Sequence, residues 1–307
     1  MGGRSAFSSD PTGNSQERID QVQRHLTMTT LPYSLGLPAW AFAGWQGWYF
    51  RAGASALWDY ARVFNAVEGN TSFYRVPEAD TVARWGEAVA RTDFRFCWKL
   101  PREVTHEVRP DLALLDIFLE RIRPLGRHNG PLMLQFSERT GPEELDQVRR
   151  ILDRLPADRR HVIEVRHPAF FDDPSLLIGL LEEFGLGRVC MDTRPLYQGD
   201  LSHPEVQKAR HEKPQVPVLP SVGNGLEFIR LVLHPDLTSN ERWIAEAVER
   251  AGRSLQAGET VFVMIHCPNN LHCPGLAVEF HQTLGRYLGD PEWPALPPWP
   301  VPQGSLF

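Results

Sequence analysis

The sequence contains little cysteine and no long apolar run, and each shortage excludes a class of protein. Four cysteines in 307 residues are too few for a disulfide scaffold, so reduced thiols are expected. The longest apolar runs are short, as in 261–265, whereas a membrane-spanning helix needs roughly 18 apolar residues. We therefore predict a cytoplasmic protein that does not enter a membrane.

Basic charge is also in short supply. The sequence has 32 Lys and Arg residues against 38 Asp and Glu residues, a formal net charge of −6. Because the average field repels phosphate, contact with nucleic acid requires a local basic patch. The sequence also lacks a Gly-rich phosphate loop, a dinucleotide fingerprint and a G-x-S-x-G elbow. These absences argue against nucleoside triphosphate hydrolysis, hydride transfer and serine-esterase chemistry.

What is present is a regular alternation of short β-rich runs and helix-like stretches. Eight strands are predicted at 33–37, 63–69, 94–100, 132–136, 161–165, 187–191, 228–232 and 261–265. Helix signals lie between them: Pro142 opens 143–155, Pro174 begins a helix that Gly185 ends, and a further helix is expected at 241–256. Eight such βα units predict an α/β protein with a (β/α)8 TIM-like barrel rather than a doubly wound open sheet.

The barrel is expected to span 31–290, with an extension at each end. Residues 1–30 are polar and Ser-rich and lack the apolar core of a secretion signal, so they are interpreted as a flexible leader. Residues 291–307 are Pro-rich and are expected to form an extended tail outside the core. The longest irregular stretch, 193–225, follows the sixth strand on the face where barrel enzymes carry their sites. It either contributes to a site or only covers the barrel mouth.

Polar side chains follow the predicted strands at their C-terminal ends, where TIM barrels place their active sites. The period of two puts Glu68 and Asn70 on one side of their strand and Glu164 and Arg166 on one side of another. The candidate catalytic residues are Glu68, Glu164, His167 and Asp192. The candidate substrate-binding or anion-binding residues are Asn70, Lys99, Arg102, Gln135, Arg166, Arg194, Arg230, His266 and Asn269.

These residue types allow two kinds of chemistry. Glu68, Glu164 and Asp192 are suitable ligands for a divalent metal, although no His-Glu-x-x-His spacing ties them together. The rim cations outnumber the rim carboxylates, which favours an anionic ligand such as a phosphate, a carboxylated sugar or a nucleic-acid backbone. The alternative is that the cations only neutralise buried acids.

Several motifs resemble one family of proteins. They are 68–74 (EGNTSFY), 94–102 (FRFCWKLPR) with Thr105 and His106, 164–168 (EVRHP), 192–196 (DTRPL), Arg230, and 266–270 (HCPNN). Together they resemble the YecE-like family, the domain-of-unknown-function family numbered seventy-two. The resemblance implies a TIM barrel of unestablished activity, similar to metal-dependent barrels of the endonuclease-four and xylose-isomerase kind. The sequence departs from the family at 36–40 (GLPAW), where the family has a Gly-x-x-Gly-Trp-like turn.

The last five residues, 303–307 (QGSLF), resemble the pentapeptide with which bacterial DNA polymerases and repair proteins dock on the DNA sliding clamp. Leu306 and Phe307 provide apolar anchors, Gln303 provides amide hydrogen bonds, and the Pro-rich stretch is expected to hold all three away from the barrel. The alternative is a chance match, and Gly304 stands where the motif often has a larger apolar residue.

The leading hypothesis is an enzyme of hydrolase-like activity that acts on a phosphate-containing or nucleic-acid substrate and is recruited to DNA by its C-terminus. One alternative is a non-catalytic module that binds nucleic acid or a small anion. A third interpretation is an isomerase or hydrolase of a sugar derivative, in which Phe73, Tyr74 and Trp98 stack on the sugar ring.

Overall fold

The fold is described from a computed structural model over residues 30–51, 56–222 and 224–300. Each predicted strand overlaps one observed strand. The strands are β1 Ser34–Leu37, β2 Ala66–Gly69, β3 Arg95–Trp98, β4 Met133–Gln135, β5 Val162–Glu164, β6 Gly187–Asp192, β7 Leu226–Val232 and β8 Thr260–His266. They pair in parallel in the order β3-β2-β1-β8-β7-β6-β5-β4. Bridges from Phe96 to Asn129 and from Lys99 to Met133 bring β3 beside β4, so the predicted (β/α)8 barrel is confirmed.

Helices surround the strands. Over the described residues the α-helices are α1 Ala56–Tyr60, α2 Thr71–Tyr74, α3 Ala79–Val89, α4 Arg102–Thr105, α5 Leu112–Ile122, α6 Leu145–Leu152, α7 Ala169–Asp172, α8 Ser175–Phe184, α9 Arg194–Gln198, α10 Pro204–Arg210, α11 Glu241–Gln256 and α12 Cys273–Leu288. Helix α8 ends at Gly185, whose φ of 60° is a left-handed conformation that glycine adopts without strain. Helix α11 has the predicted bounds, and Pro142 opens a 3-10 turn that leads into α6.

The alternation of side chains along the strands produces two apolar layers. One series fills the barrel interior and includes Ala66, Cys97, Met133, Phe228 and Met264. The other series packs between the strands and the helices. Because successive strand side chains point to opposite faces, the residue two positions after an interior one points inward again, nearer the C-terminal mouth.

The segment at 193–225 is more regular than expected, because it contains the short helices α9 and α10. Pro195 and Pro204 stand in the first turns of these helices, where proline costs no backbone hydrogen bond. Residues of α10 and of the chain that follows it line a cavity at the barrel mouth. The segment therefore both covers the mouth and contributes side chains to it.

The start of the Pro-rich tail differs from the expected free tether. Trp293, Leu296 and Trp299 pack against the main core, and the Trp293 ring stacks on Tyr33 with their centroids 6.0 Å apart. Indole rings bury a large apolar area, and this outweighs the preference of the prolines for extended, solvated chain. Residues 1–29 and 301–307 lie outside the described part of the chain.

Among the helices of the described residues, none is both long and apolar enough to cross a membrane.

Candidate functional site

The barrel interior changes from apolar to polar at one level. Each of six strands carries an interior apolar residue followed two positions later by a polar one. The six polar residues are Glu68, Lys99, Gln135, Glu164, Arg230 and His266. All six are at most 9% exposed. Since a strand has a side-chain period of two, they form one inward-facing layer at the C-terminal mouth of the barrel.

Arg230 is the centre of this layer. Its Nε and Nη2 atoms donate to Glu68 Oε2 and Oε1 at 2.8 and 2.7 Å, and its Nη1 atom donates to Glu164 Oε2. Burial by itself raises the pKa of Glu68, but the charge of Arg230 and the contact with His266 outweigh it and hold this pKa well below its usual value. Glu68 is therefore an ionised partner of Arg230 beneath the cavity.

Glu164 is held in the same way. Arg166 Nε and Nη2 donate to Glu164 Oε1 at 3.0 and 2.8 Å, which leaves Oε2 for Arg230. The charges of Arg230 and Arg166 outweigh the effect of burial and lower the pKa of Glu164 to about 2. The two carboxylates thus fix the directions of two guanidinium groups. Arg230 contacts Glu68 in the bidentate geometry that arginine favours, whereas both Arg166 nitrogens donate to one oxygen of Glu164.

A cavity of about 760 Å³ opens above this layer. It is lined by six cations, Lys99, Arg102, Arg166, Lys208, Lys213 and Arg230, and by two acids, Glu205 and Glu212. Its other lining residues include Asn70, Phe73, Tyr74, His106, Gln135 and His266. Even with Glu68 and Glu164 beneath the floor counted, the cations exceed the acids by two. The excess predicted from sequence is present, in a protein whose net charge is −6.

Lys99 differs from the other buried cations. Its Nζ atom lies 3.9 Å from the centroid of the Phe73 ring, and among the described residues no carboxylate is within ion-pair distance of it. Burial, followed by the charge of Arg230, lowers the pKa of Lys99 to about 8. A cation–π contact stabilises the ammonium less than a buried ion pair does, so this amine gives up its proton more readily than an ordinary lysine.

The side-chain oxygen of Gln135 is a buried hydrogen-bond acceptor that no donor reaches in the described part of the chain. The side chain is 3% exposed, and over the described residues its Oε1 atom has no hydrogen-bond partner. A buried amide oxygen left without a donor costs about 1–3 kcal/mol. Asn70 is satisfied in contrast, because its Nδ2 atom donates to the Pro38 carbonyl at 3.0 Å. Gln135 Oε1 is therefore suited to accept a hydrogen bond from a ligand.

The two imidazoles of the cavity are neutral at physiological pH. His266 Nε2 is 3.0 Å from Glu68 Oε2, and because a carboxylate only accepts, Nε2 carries the proton and Nδ1 is the free base. Burial lowers the pKa of His266. Burial, followed by the charge of Lys99, lowers the pKa of His106 to about 4.

The structure does not bring four of the predicted residues to the cavity. On β6 the inward residues are Val189 and Met191, so Asp192 points outward and forms a bidentate pair with Arg194 at 2.9 and 2.6 Å. Arg194 also contacts Glu246 on α11. His167 follows the inward Arg166 and therefore points away, and its Nδ1 atom accepts from the Ala169 amide. Asn269 caps the turn at 270–272 by accepting from the Leu271 amide.

One further expectation is corrected, and the geometry of the candidate metal ligands is described with it. Trp98 was expected at the rim but is fully buried against Phe96 and Trp85. Side chains alternate along β3, and this alternation places Trp98 on the outer face of the barrel. In the described part of the chain, no group of three or more His, Cys, Asp or Glu side chains is arranged to hold a metal ion. Glu68 and Glu164 are occupied by arginines, and Asp192 lies elsewhere.

Sequence reasoning missed Lys208 and Lys213, which come from α10 and the chain after it. The rarity of lysine in the composition could have drawn attention to these two residues. The chain has three lysines among its 32 basic residues, and the rest are arginines. All three lysines line this one cavity.

The fold and the mouth cavity define a TIM-barrel protein with a polar, cation-rich site. Residues 34–300 match the family described as "Protein of unknown function DUF72", and the chain belongs to that family. It is 34% identical to the UPF0759 protein YecE of Escherichia coli (strain K12) over 278 residues, which cover 89% of this chain and 99% of that relative.

Solved structures of the family share the fold. A DUF72 family protein of Enterococcus faecalis V583 aligns with a TM-score of 0.61 and 20% identity, covering 87% of this chain and 98% of that one. A DUF72 family protein of Thermotoga maritima MSB8 aligns with a TM-score of 0.58 and 17% identity, covering 82% and 98%. The resemblance to the YecE-like family is confirmed by the match over residues 34–300 and by the identity to YecE.

Proposed function

We propose that this protein is an enzyme that binds a phosphate-bearing small molecule in the mouth cavity and acts on it by acid–base chemistry. The observation that supports this proposal is the charge of the cavity. The carboxylates of Glu68 and Glu164 already accept hydrogen bonds from arginines, and six cations line the space above them. Arg166 and Arg230 have fixed directions, and the six cations outnumber Glu205 and Glu212, the two acids that line the same space. An excess of directed cations favours an anionic ligand.

The roles follow from the contacts. Arg166 and Arg230 are directed by Glu164 and Glu68 and hold the anion together with Lys99. His266 is the general base, because Glu68 fixes its tautomer and leaves Nδ1 as a proton acceptor. This changes the expected roles of Glu68 and Glu164 from catalytic acids or metal ligands to positioning residues.

The shape of the cavity favours a small molecule over nucleic acid. Its volume of about 760 Å³ lies within the range of roughly 300–1,000 Å³ typical of small-molecule sites. Phe73 and Tyr74 both line it. The Phe73 ring is buried and carries the Lys99 ammonium, so of the three aromatic residues proposed to stack on a sugar, Tyr74 offers the exposed ring. A sugar phosphate combines both features.

The test is thermal stabilisation of the full chain by inorganic phosphate, sugar phosphates and a short DNA duplex. Phosphate-bearing small molecules should raise the melting temperature, and Arg166→Gln should abolish the rise. Arg194→Gln is the matched control, because it breaks a similar arginine–carboxylate pair outside the cavity. Stabilisation by DNA alone would contradict the small-molecule assignment. Binding without turnover of any phosphate compound would favour the non-catalytic module.

We further propose that residues 303–307 dock on the bacterial sliding clamp. The support is their sequence, since Gln303, Leu306 and Phe307 lie outside the described residues. A titration against the clamp should show binding that disappears when residues 303–307 are removed. Equal binding by the shortened chain, or no binding at tens of micromolar, would contradict this.

A further inference from the structure

We infer that Lys99 is a nucleophilic amine that forms an imine with a carbonyl substrate carrying an anionic group. This deepens the proposed function by naming a substrate class: phosphorylated or carboxylated aldehydes and ketones.

The first support is the distribution of lysine. The chain uses arginine for all but three of its 32 basic residues, and the three lysines all line the mouth cavity. Where only positive charge is needed, arginine serves this chain everywhere else. Lysine differs from arginine in that it can lose its proton and act as a nucleophile or base. A cavity that holds every lysine is therefore a place where that difference matters.

The second support is the setting of Lys99. It is 9% exposed, and its Nζ atom rests on the Phe73 ring at 3.9 Å rather than on a carboxylate. Arg230 and Arg166 lie in the same cavity. Desolvation beside other cations is the usual way in which proteins activate an amine nucleophile. Accordingly the pKa of Lys99 falls to about 8 through burial and the charge of Arg230.

The third support is that the cavity holds the other groups that the step requires. The neutral Lys99 amine attacks the carbonyl carbon, an N–C bond forms, and the carbonyl π electrons move to oxygen. The two amine protons then leave with that oxygen as water, which yields the imine. His266 Nδ1 can relay these protons, Gln135 Oε1 can accept from the carbinolamine hydroxyl, and Arg166 can hold the anionic group. The nearby Cys267 is no competitor, since burial raises the pKa of its thiol to about 12.

The test is reductive trapping. The full chain is incubated with dihydroxyacetone phosphate, glyceraldehyde 3-phosphate or pyruvate, reduced with borohydride, and mapped by peptide mass spectrometry. The chain supplies its own control in Lys208, an exposed lysine that lines the same cavity. Lys213 is not used as the control, because burial and the charge of Arg230 lower its pKa as well. At least one anionic probe should label Lys99 about ten-fold more than Lys208. Uncharged dihydroxyacetone should lose this preference, and inorganic phosphate should compete.

The inference and the proposed function are tested separately, because phosphate stabilisation is measured on the wild type. Lys99→Arg tests trapping only, since Lys99 also belongs to the anion site. Arginine forms no imine, so the variant should give no adduct at position 99. Phosphate stabilisation of the wild type with no Lys99 adduct from any probe would overturn the imine and leave the anion site intact. Equal labelling of Lys99 and Lys208 would also overturn it. Absence of both phosphate stabilisation and trapping would remove the proposed function as well.

Discussion

Arg230 and Glu68 are 162 positions apart in sequence, yet two nitrogens of the guanidinium contact both oxygens of the carboxylate at 2.8 and 2.7 Å. The pair crosses the barrel interior from β7 to β2, and Glu164 on β5 completes it. Removing one partner of such a buried network leaves uncompensated charge, which costs far more than breaking an exposed pair.

We therefore expect Arg230→Met to lower the free energy of unfolding by about 3–5 kcal/mol, because Glu68 and Glu164 lose their shared counter-ion. Urea denaturation measures the change. Arg154→Met is the control, since Arg154 and Asp116 form a half-exposed pair at 2.6 Å, and breaking it should cost about 0–1 kcal/mol. Equal effects of the two substitutions would contradict the central role of Arg230.

His161 should make the protein less stable in mild acid. Its Nδ1 atom accepts from the Leu132 amide and its Nε2 atom donates to the Pro156 carbonyl, while burial lowers the pKa to about 4 from 6.5. Below pH 6.5 the His161 imidazole binds a proton in the unfolded chain but stays neutral in the folded chain until the pH approaches 4. Stability from this group is therefore complete above pH 6.5 and is lost as the pH falls toward 4, by about 3 kcal/mol in total.

Unfolding free energies measured between pH 7 and pH 4 check this. The slope in that window should be shallower for His161→Gln than for the wild type, whatever the absolute stability of the variant. An unchanged slope would show that the imidazole titrates alike in the folded and unfolded chains.

Gln135 should show opposed effects on stability and binding. Gln135→Met is nearly isosteric and removes the buried oxygen that has no partner over the described residues, so stability of the free protein should stay equal or rise by about 1 kcal/mol. Phosphate-bearing ligands that stabilise the wild type should stabilise the variant less. A variant that loses stability but binds equally well would instead give Gln135 a structural role.

The eight strands and several helix ends could be predicted from the sequence, because the spacing of apolar residues and the Pro and Gly residues at helix ends are local signals. The same period of two correctly placed Glu164 and Arg166 on one side. The same period could also have excluded Asp192 from the candidate site, because its neighbour Met191 points inward on β6 and contacts Arg230. Strand parity, applied to every candidate, would have excluded His167 as well.

Pairing across the barrel could not be predicted in this way. Nothing local indicates that Arg230 selects Glu68 and Glu164, since the contact joins strands that are distant in sequence. Lys213 was missed because it lies beyond a short helix in a segment without periodicity. The docking of Trp293 could not be predicted from the proline content, which favours extended, solvated chain; the apolar area of the indole outweighs that preference.

Two glycines of α12 test whether that docking stabilises the protein. A Cβ at Gly285 would overlap the Trp293 ring, whereas a Cβ at Gly275 would meet Tyr49 Oη at 3.7 Å, an ordinary contact. Gly285→Ala must displace an indole that also donates to the His281 carbonyl at 3.2 Å, so it should lower the free energy of unfolding by about 1–3 kcal/mol. Gly275→Ala removes a glycine from the same helix and should be neutral or stabilising by up to about 1 kcal/mol.

Thermal melts of the two glycine variants and of Trp293→Ala test this prediction. Gly285→Ala and Trp293→Ala should lower the melting temperature by similar amounts. If Gly285→Ala behaves like Gly275→Ala, the tail contributes nothing to the stability of the barrel.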